Sequence, residues 1–214
     1  MSLYNKYILP SIIISGCNKK PQMKQREKVI PFAEGKVLEV GIGSGLNLPF
    51  YNANKVKELI GIDPSVELWE KREPMKGLGF RYEFIKAVAE DMPFEKHYFD
   101  TIVITYTLCS IPDFQSALES LRKVLKPTGK FLFCEHGKAP DKSVLFTQNI
   151  INPVWKLIGG GCNINRDIPS IINQNGFKIS DLKTMYVPGW KPVSFNFWGQ
   201  AKPCLLYTSP SPRD

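Results

Sequence analysis

The segment Val37–Asn47 (VLEVGIGSGLN) holds the residue types a protein uses to bring bare backbone against a ligand. A run of β-formers leads straight into Gly41, Gly43 and Gly45, which suit a tight turn that a ligand must approach closely. A helix starting behind that turn would offer unpaired N–H groups and a partial positive charge to an anion. Asp63 stands twenty residues beyond Gly43, at the end of the next apolar run. Its carboxylate can accept both hydroxyls of a ribose. Glu39 lies two residues before the first glycine, and Ile42, Ser44 and Pro64 complete the candidate cofactor-contacting set.

These residues need elements that hold them at one edge of a sheet. Strand signals fall at Lys36–Val40, Glu58–Ile62, Phe80–Ala87, Phe99–Thr105 and Lys130–Glu135. Phe99–Thr105 (FDTIVIT) is almost wholly apolar beyond Asp100, as a central parallel strand should be. Between them, Asp63-Pro64-Ser65 gives helix-start chemistry before Val66–Lys71. Asp113 caps a helix whose apolar residues recur at three- and four-residue steps as far as Leu125. Pro127, Thr128 and Gly129 end that helix. Such alternation argues for one mostly parallel sheet covered on both sides. Later come helices over Ser143–Leu157 and Arg166–Asn175, then strands near Lys178–Val187 and Val193–Ala201. The expected organisation is a lid or surface segment over 1–30, one domain over 31–203 and a disordered or artefactual tail over 204–214.

A ribose-binding glycine turn serves NAD as readily as S-adenosylmethionine (SAM), and spacing separates the two. A dinucleotide loop reads GxGxxG, because the pyrophosphate sits against the helix start. Here the pattern is ExGxGxG, and SAM carries only an amino-acid end whose carboxylate needs donors and whose ammonium needs an acceptor. Ala89–Phe94 (AEDMPF), followed by Phe99-Asp100, resembles the AExLPF…FD segment of class I SAM-dependent methyltransferases. Leu118–Phe133 (LESLRKVLKPTGKFLF) resembles their RVLKPGGxLxF stretch, with Thr128 in place of the first glycine. The resemblance implies the Rossmann-like α/β fold of the type 11 methyltransferases, with a seven-stranded, mostly parallel sheet and helices on both faces. It implies SAM as cofactor and S-adenosylhomocysteine as product. Gly41, Gly43 and Gly45 would then hold the methionine end, Asp63 the ribose, and Val88, Ala89 and Glu90 the adenine. Thr105 would face the sulfonium through its backbone.

The likeness narrows further along. Asp100–Asp113 (DTIVITYTLCSIPD), Trp155–Asp167 (WKLIGGGCNINRD) and the late VSFNFWGQAKP resemble the methyltransferase-like family that includes thiol S-methyltransferases. Quinone-biosynthesis C-methyltransferases and phospholipid or amine N-methyltransferases share the cofactor motifs and stay as alternatives. Animal relatives carry an N-terminal membrane anchor; only Tyr7–Ile14 offers a comparable apolar run here, and it contains Pro10.

Methyl transfer from a sulfonium is an in-line displacement that chiefly needs positioning and exclusion of water. A thiol acceptor ionises within about 1–2 units of neutrality and so helps itself. His136, after the fifth strand, is the candidate catalytic residue, as a base or an orienting group. Cys109, Cys162, Asn163 and Arg166 are the candidate acceptor-side residues. Cys162 has no base near it in sequence, so a lining role is favoured over a nucleophilic one.

Composition sets the outer limits. A net charge of +8 permits binding to nucleic acid or anionic lipid, but the lysines are scattered and read as a solvated basic surface. A non-catalytic SAM-binding or RNA-binding protein is the rival reading from another class; no basic run interleaves with aromatics, so no nucleic-acid partner is expected. Five cysteines without a CxxC pair, beside two histidines, point away from a disulfide framework and from a metal site. The expectations are a reducing, cytoplasmic setting, a small-molecule methyl acceptor and no obligate protein partner, with peripheral membrane contact left open for the N-terminal segment.

Overall fold

The computed structural model describes residues 3–74 and 77–204 of the chain. A sheet of seven strands runs through it in the order β3-β2-β1-β4-β5-β7-β6. The strands are β1 Gly35–Val40, β2 Val56–Asp63, β3 Arg81–Lys86, β4 Phe99–Thr105, β5 Leu125–His136, β6 Phe177–Tyr186 and β7 Phe195–Pro203. The first five are mutually parallel, while β7 lies antiparallel to both β5 and β6. The short link between β6 and β7 permits only a hairpin, which sets that reversal.

Alternation along the strands divides the core. Leu38, Ile60, Ile102 and Phe131 face one layer, built with Ala117, Leu118 and Leu121 of α4 (Phe114–Val124) and Ile168 and Ile172 of α6 (Ile168–Gln174). Val37, Leu59, Val103 and Leu132 face the other, covered by Ile30, Leu48, Tyr51 and Trp69 of α3 (Val66–Glu70). Buried on both sides, the central strands read as near-continuous apolar runs. The caps fall where their residue types place them: Asp113 accepts from Ser116 N–H at 3.0 Å, and Ser65 from Leu68 N–H at 3.2 Å.

Two expectations change. No α-helix follows the glycine turn; only the three-residue 3-10 turn Leu48–Phe50 does. Pro49 lacks an N–H, and the bonds from Gly45 to Ile42 and from Phe50 to Asn47 close tight i→i+3 turns instead. A helix dipole aimed at an anion is therefore absent from this turn. In addition, β5 begins at Leu125 rather than Lys130, because Leu125 already pairs with Phe99 and Pro127–Gly129 is taken up as an irregularity between registers.

The N-terminal segment forms α1 (Leu9–Cys17) and α2 (Lys20–Glu27). Lys71 Nζ donates to Ser11 Oγ at 2.9 Å, and Tyr4 Oη donates to the Ile158 carbonyl at 2.6 Å. α1 therefore lies between α3 and the end of α5 (Lys142–Ile158). Residues 205–214, on which the tail expectation falls, lie outside the described residues.

Candidate active site

At the carboxyl edges of β1, β2 and β4 the chain encloses a cavity of about 610 Å³. Open α/β sheets bind ligands in this position. Gly41, Ile42, Gly43 and Ser44 form one wall, followed by Asp63 and Pro64 and then Val88, Ala89 and Glu90. Thr105 lines it from the end of β4.

The glycines have distinct jobs. Gly41 adopts φ +72°, and a Cβ there would collide with the Thr107 side chain. Gly43 adopts φ +51°, yet a Cβ would meet nothing nearer than the Gly41 carbonyl at 4.0 Å. The space beside Gly43 is thus open on the cavity side, as a ligand cradle requires. Gly45 does not line the cavity; it shapes the turn behind it, at φ +72° against Leu48.

Asp63 is 7% exposed, and its carboxylate accepts from Gly43 N–H at 3.0 Å and from Ser65 N–H at 2.8 Å. Burial raises its pKa, while the Ser65 and Gly43 N–H groups act in the opposite direction. Glu39 differs from its expected place, for it does not line the cavity. Buried under the turn, it accepts from Asn47 Nδ2 at 2.8 Å and Tyr51 Oη at 2.7 Å. Burial pushes its pKa up to about 7 even though Tyr51, Arg26 and Asn47 favour the charged form. Glu39 acts as a brace for the turn.

Arg26 is the residue that sequence reading missed. It is 4% exposed, lines the cavity and leaves its Nε without a hydrogen-bond partner. Its Nη1 donates to Asn47 Oδ1 at 2.8 Å and to Thr105 Oγ1. In sequence it sits within the Lys19–Lys28 basic cluster, with no apolar periodicity to mark it as the buried member. A buried guanidinium with an idle donor at a cavity wall suits a carboxylate. Together with the open cradle at Gly43 and the half-saturated Asp63, it makes a set of groups that fits SAM: a donor for the carboxylate, an acceptor for the ribose and an apolar wall for the adenine.

The cavity is also lined by Leu9, Ile13, Ile14 and Cys17 of α1, and by Ser110, Ile111 and Gly160. Tyr106 adopts φ +51°, rare for a bulky residue, and turns its hydroxyl away to donate to Asn196 Oδ1 at 2.7 Å. None of the sequence candidates for acceptor contact lines this wall; they lie behind it. Asn163 Nδ2 donates to the Cys109 carbonyl at 3.1 Å, and Arg166 Nη1 donates to the Leu108 carbonyl. His136, the catalytic candidate, likewise stays off the cavity, with Nε2 3.1 Å from Cys162 Sγ and its ring stacked near Tyr106. The base that sequence distance hid from Cys162 is therefore beside it in space. The Cys109 thiol and the His136 ring hold the Cys162 thiol well below its ordinary range. Burial opposes charge on His136, but the neighbouring Cys162 sulfur outweighs it and raises the ring's pKa. The Glu135 carboxylate gathers the loop after β4 by accepting from the Thr107 and Leu108 N–H groups at 2.7 and 3.0 Å.

Residues 38–133 match the family model described as a methyltransferase domain. The chain is 30% identical over 209 residues to human "Thiol S-methyltransferase TMT1B", covering 92% of this chain and 85% of that protein. It is also 30% identical over 145 residues to the "Ubiquinone/menaquinone biosynthesis C-methyltransferase UbiE" of Rickettsia prowazekii, covering 61% of this chain and 58% of the other. Among solved structures, a SAM-dependent methyltransferase from Methanosarcina mazei superposes with a TM-score of 0.61 at 18% identity, over 81% of this chain and 94% of that one. The site and these likenesses agree: the chain belongs to the SAM-dependent methyltransferases of Rossmann-like fold, in the family that includes the thiol S-methyltransferases.

Proposed function

We propose that this methyltransferase transfers the SAM methyl group to a small apolar thiol. SAM supplies a methyl group made electrophilic by its sulfonium. Arg26 would pair with the cofactor carboxylate, Asp63 would take the ribose hydroxyls, and Val88–Glu90 would border the adenine. α1 shields the reacting end from water.

The observation that carries the acceptor reading is the chemistry of the far wall. Among the described residues it contains no carboxylate and no imidazole: Leu9, Ile13, Ile14 and Ile111 dominate it, and burial raises the Cys17 thiol. A carbon or hydroxyl acceptor needs a base at that wall, whereas a thiol forms its own nucleophile close to neutral pH. The kinship with thiol S-methyltransferases supports the same reading.

The test is S-adenosylhomocysteine formation with a panel of alkyl and aryl thiols, beside quinone precursors and lipid amines. Turnover confined to thiols, and faster for those with lower thiol pKa near neutral pH, is the expected result. Turnover on a quinone precursor alone would replace this reading with a C-methyltransferase.

We further propose that the molecule works against a lipid surface. No helix among the described residues is long and apolar enough to cross a membrane. Yet Phe146, Ile150, Val154 and Leu157 make an exposed stripe along α5, with Leu157 79% exposed. Ile8 and Ile12 are also exposed on the N-terminal segment, whose Tyr4 meets the end of α5. Apolar faces of this kind suit an interface where apolar thiols concentrate.

A further inference from the structure

We propose that Cys109, His136 and Cys162 form a binding site for a soft divalent cation of the Zn²⁺ class. Cys109 lies in the turn after β4, His136 ends β5, and Cys162 sits in the glycine-rich loop after α5. Across more than fifty residues of sequence, their two sulfurs and one ring nitrogen come within 4.8 Å of one another. Around a tetrahedral zinc ion such atoms stand about 3.5–3.8 Å apart. The three side chains therefore need only small rotations to close on one ion.

The backbone carrying these ligands is fixed by bonds that do not use the two sulfurs or the ring nitrogen. Asn163 donates to the Cys109 carbonyl from both its backbone N, at 2.9 Å, and its Nδ2, at 3.1 Å, which ties the Cys162 loop to the Cys109 turn. Glu135 holds the N–H groups of residues 107 and 108 from below. His136 is set in register opposite Asn196 of β7, and the Tyr106 ring packs on the imidazole. A preformed set of this kind is what a metal site requires and a chance cluster lacks.

The donor chemistry selects the ion. Two thiolates and an imidazole favour Zn²⁺ over the hard cations Mg²⁺ and Ca²⁺. Three protein ligands leave a fourth position for water or an added thiolate. Cys109 is buried, but His136 and Cys162 are only half-buried, so that position can be reached. On binding, two protons pass to solvent, one from the Cys109 thiol and one shared by the Cys162–His136 pair, and the ion bonds to both sulfurs and the ring nitrogen with no change of oxidation state. Ser110 and Gly160 are chain neighbours of the site and line the acceptor side of the cavity. The ion would pin the loops that carry Ser110 and Gly160 to the end of β5. The site does not depend on which acceptor the enzyme uses.

The test uses full-length protein, reduced and stripped of metal, titrated with Co²⁺. Saturation at one equivalent, with thiolate-to-cobalt charge-transfer absorption and tetrahedral visible bands that Zn²⁺ displaces, is the expected result. Cys162→Ser and Cys109→Ser should each lose the charge-transfer band while still binding SAM by calorimetry; Cys204→Ser should keep it. Zn²⁺ should also raise the melting temperature of the wild type and not of Cys162→Ser. Absence of the band in wild-type protein that binds SAM overturns the proposal. So does a band that survives in Cys162→Ser.

Discussion

Arg26 Nη1 donates to Asn47 Oδ1 at 2.8 Å, joining α2 to the glycine turn across 21 residues of chain. A cationic side chain from the N-terminal segment is thereby built into the wall of the cavity. Arg26→Met should weaken SAM binding about 10- to 150-fold, the equivalent of losing roughly 1.5–3 kcal/mol of charged hydrogen bonding. Titration calorimetry reads this directly. An affinity within twofold of wild type would remove Arg26 from the cofactor site.

Asp63 has two oxygens already engaged by Gly43 and Ser65, and it keeps lone pairs for the cavity. Asp63→Ala should cost a similar factor in SAM affinity, about 10-fold or more. Because its bonds also shape the turn, a modest fall in melting temperature should accompany the loss. Adenosine, which has the ribose without the methionine end, should lose affinity with Asp63→Ala and not with Arg26→Met.

Gly41 and Gly43 should respond differently to the same substitution. Gly41→Ala drives a methyl group into Thr107 and should destabilise the fold by about 1–3 kcal/mol. Gly43→Ala meets only the Gly41 carbonyl, at 4.0 Å and without a clash, and should cost the fold only about 1–2 kcal/mol, for its positive φ. Its main effect should fall on SAM binding, since the methyl group occupies the cradle. Urea denaturation and calorimetry together separate the two outcomes.

Glu39 should make stability depend on pH in an unusual direction. Its folded-state pKa is raised to about 7 from an ordinary 4.5. The folded chain thus binds this proton more tightly than the unfolded chain. That contribution is fully present below 4.5 and is lost as pH rises through about 7. Relative to the wild type, Glu39→Gln should gain melting temperature steadily between about pH 5 and pH 7 and hold the gain above that range. A constant difference across the range would show that Glu39 does not titrate there.

The α5 stripe should govern vesicle binding. Replacing Phe146 and Leu157, 67% and 79% exposed, with serine should reduce co-sedimentation with phospholipid vesicles about tenfold or more. Activity on a water-dispersed thiol should not change. Equal co-sedimentation of variant and wild type would remove the lipid surface from the reading.

The elements that line the cavity were legible because their signals are local. A glycine turn after a strand, an acid after the next strand, and Asp113 ahead of an apolar-periodic helix each announce themselves within a dozen residues. What sequence could not show depends on distance along the chain. Arg26 hides among exposed lysines, since a single buried cation leaves no periodic trace. Cys109, His136 and Cys162 come together only because β4, β5 and the loop after α5 end at one edge. The missing helix after Gly45 had its own local cue in Pro49, which was outweighed by the usual strand–turn–helix pattern.

One wall of the cavity belongs to α1 and α2, a segment that meets the body through contacts such as Ser11 with Lys71 and Gly160 with Leu9. Occupancy of the cavity and the seating of that segment on the body would therefore be coupled. Whatever factor SAM contributes to docking, docking returns to SAM affinity, because such coupling is reciprocal. A change that drew the N-terminal segment off the body would open that wall of the cavity and take Arg26 with it.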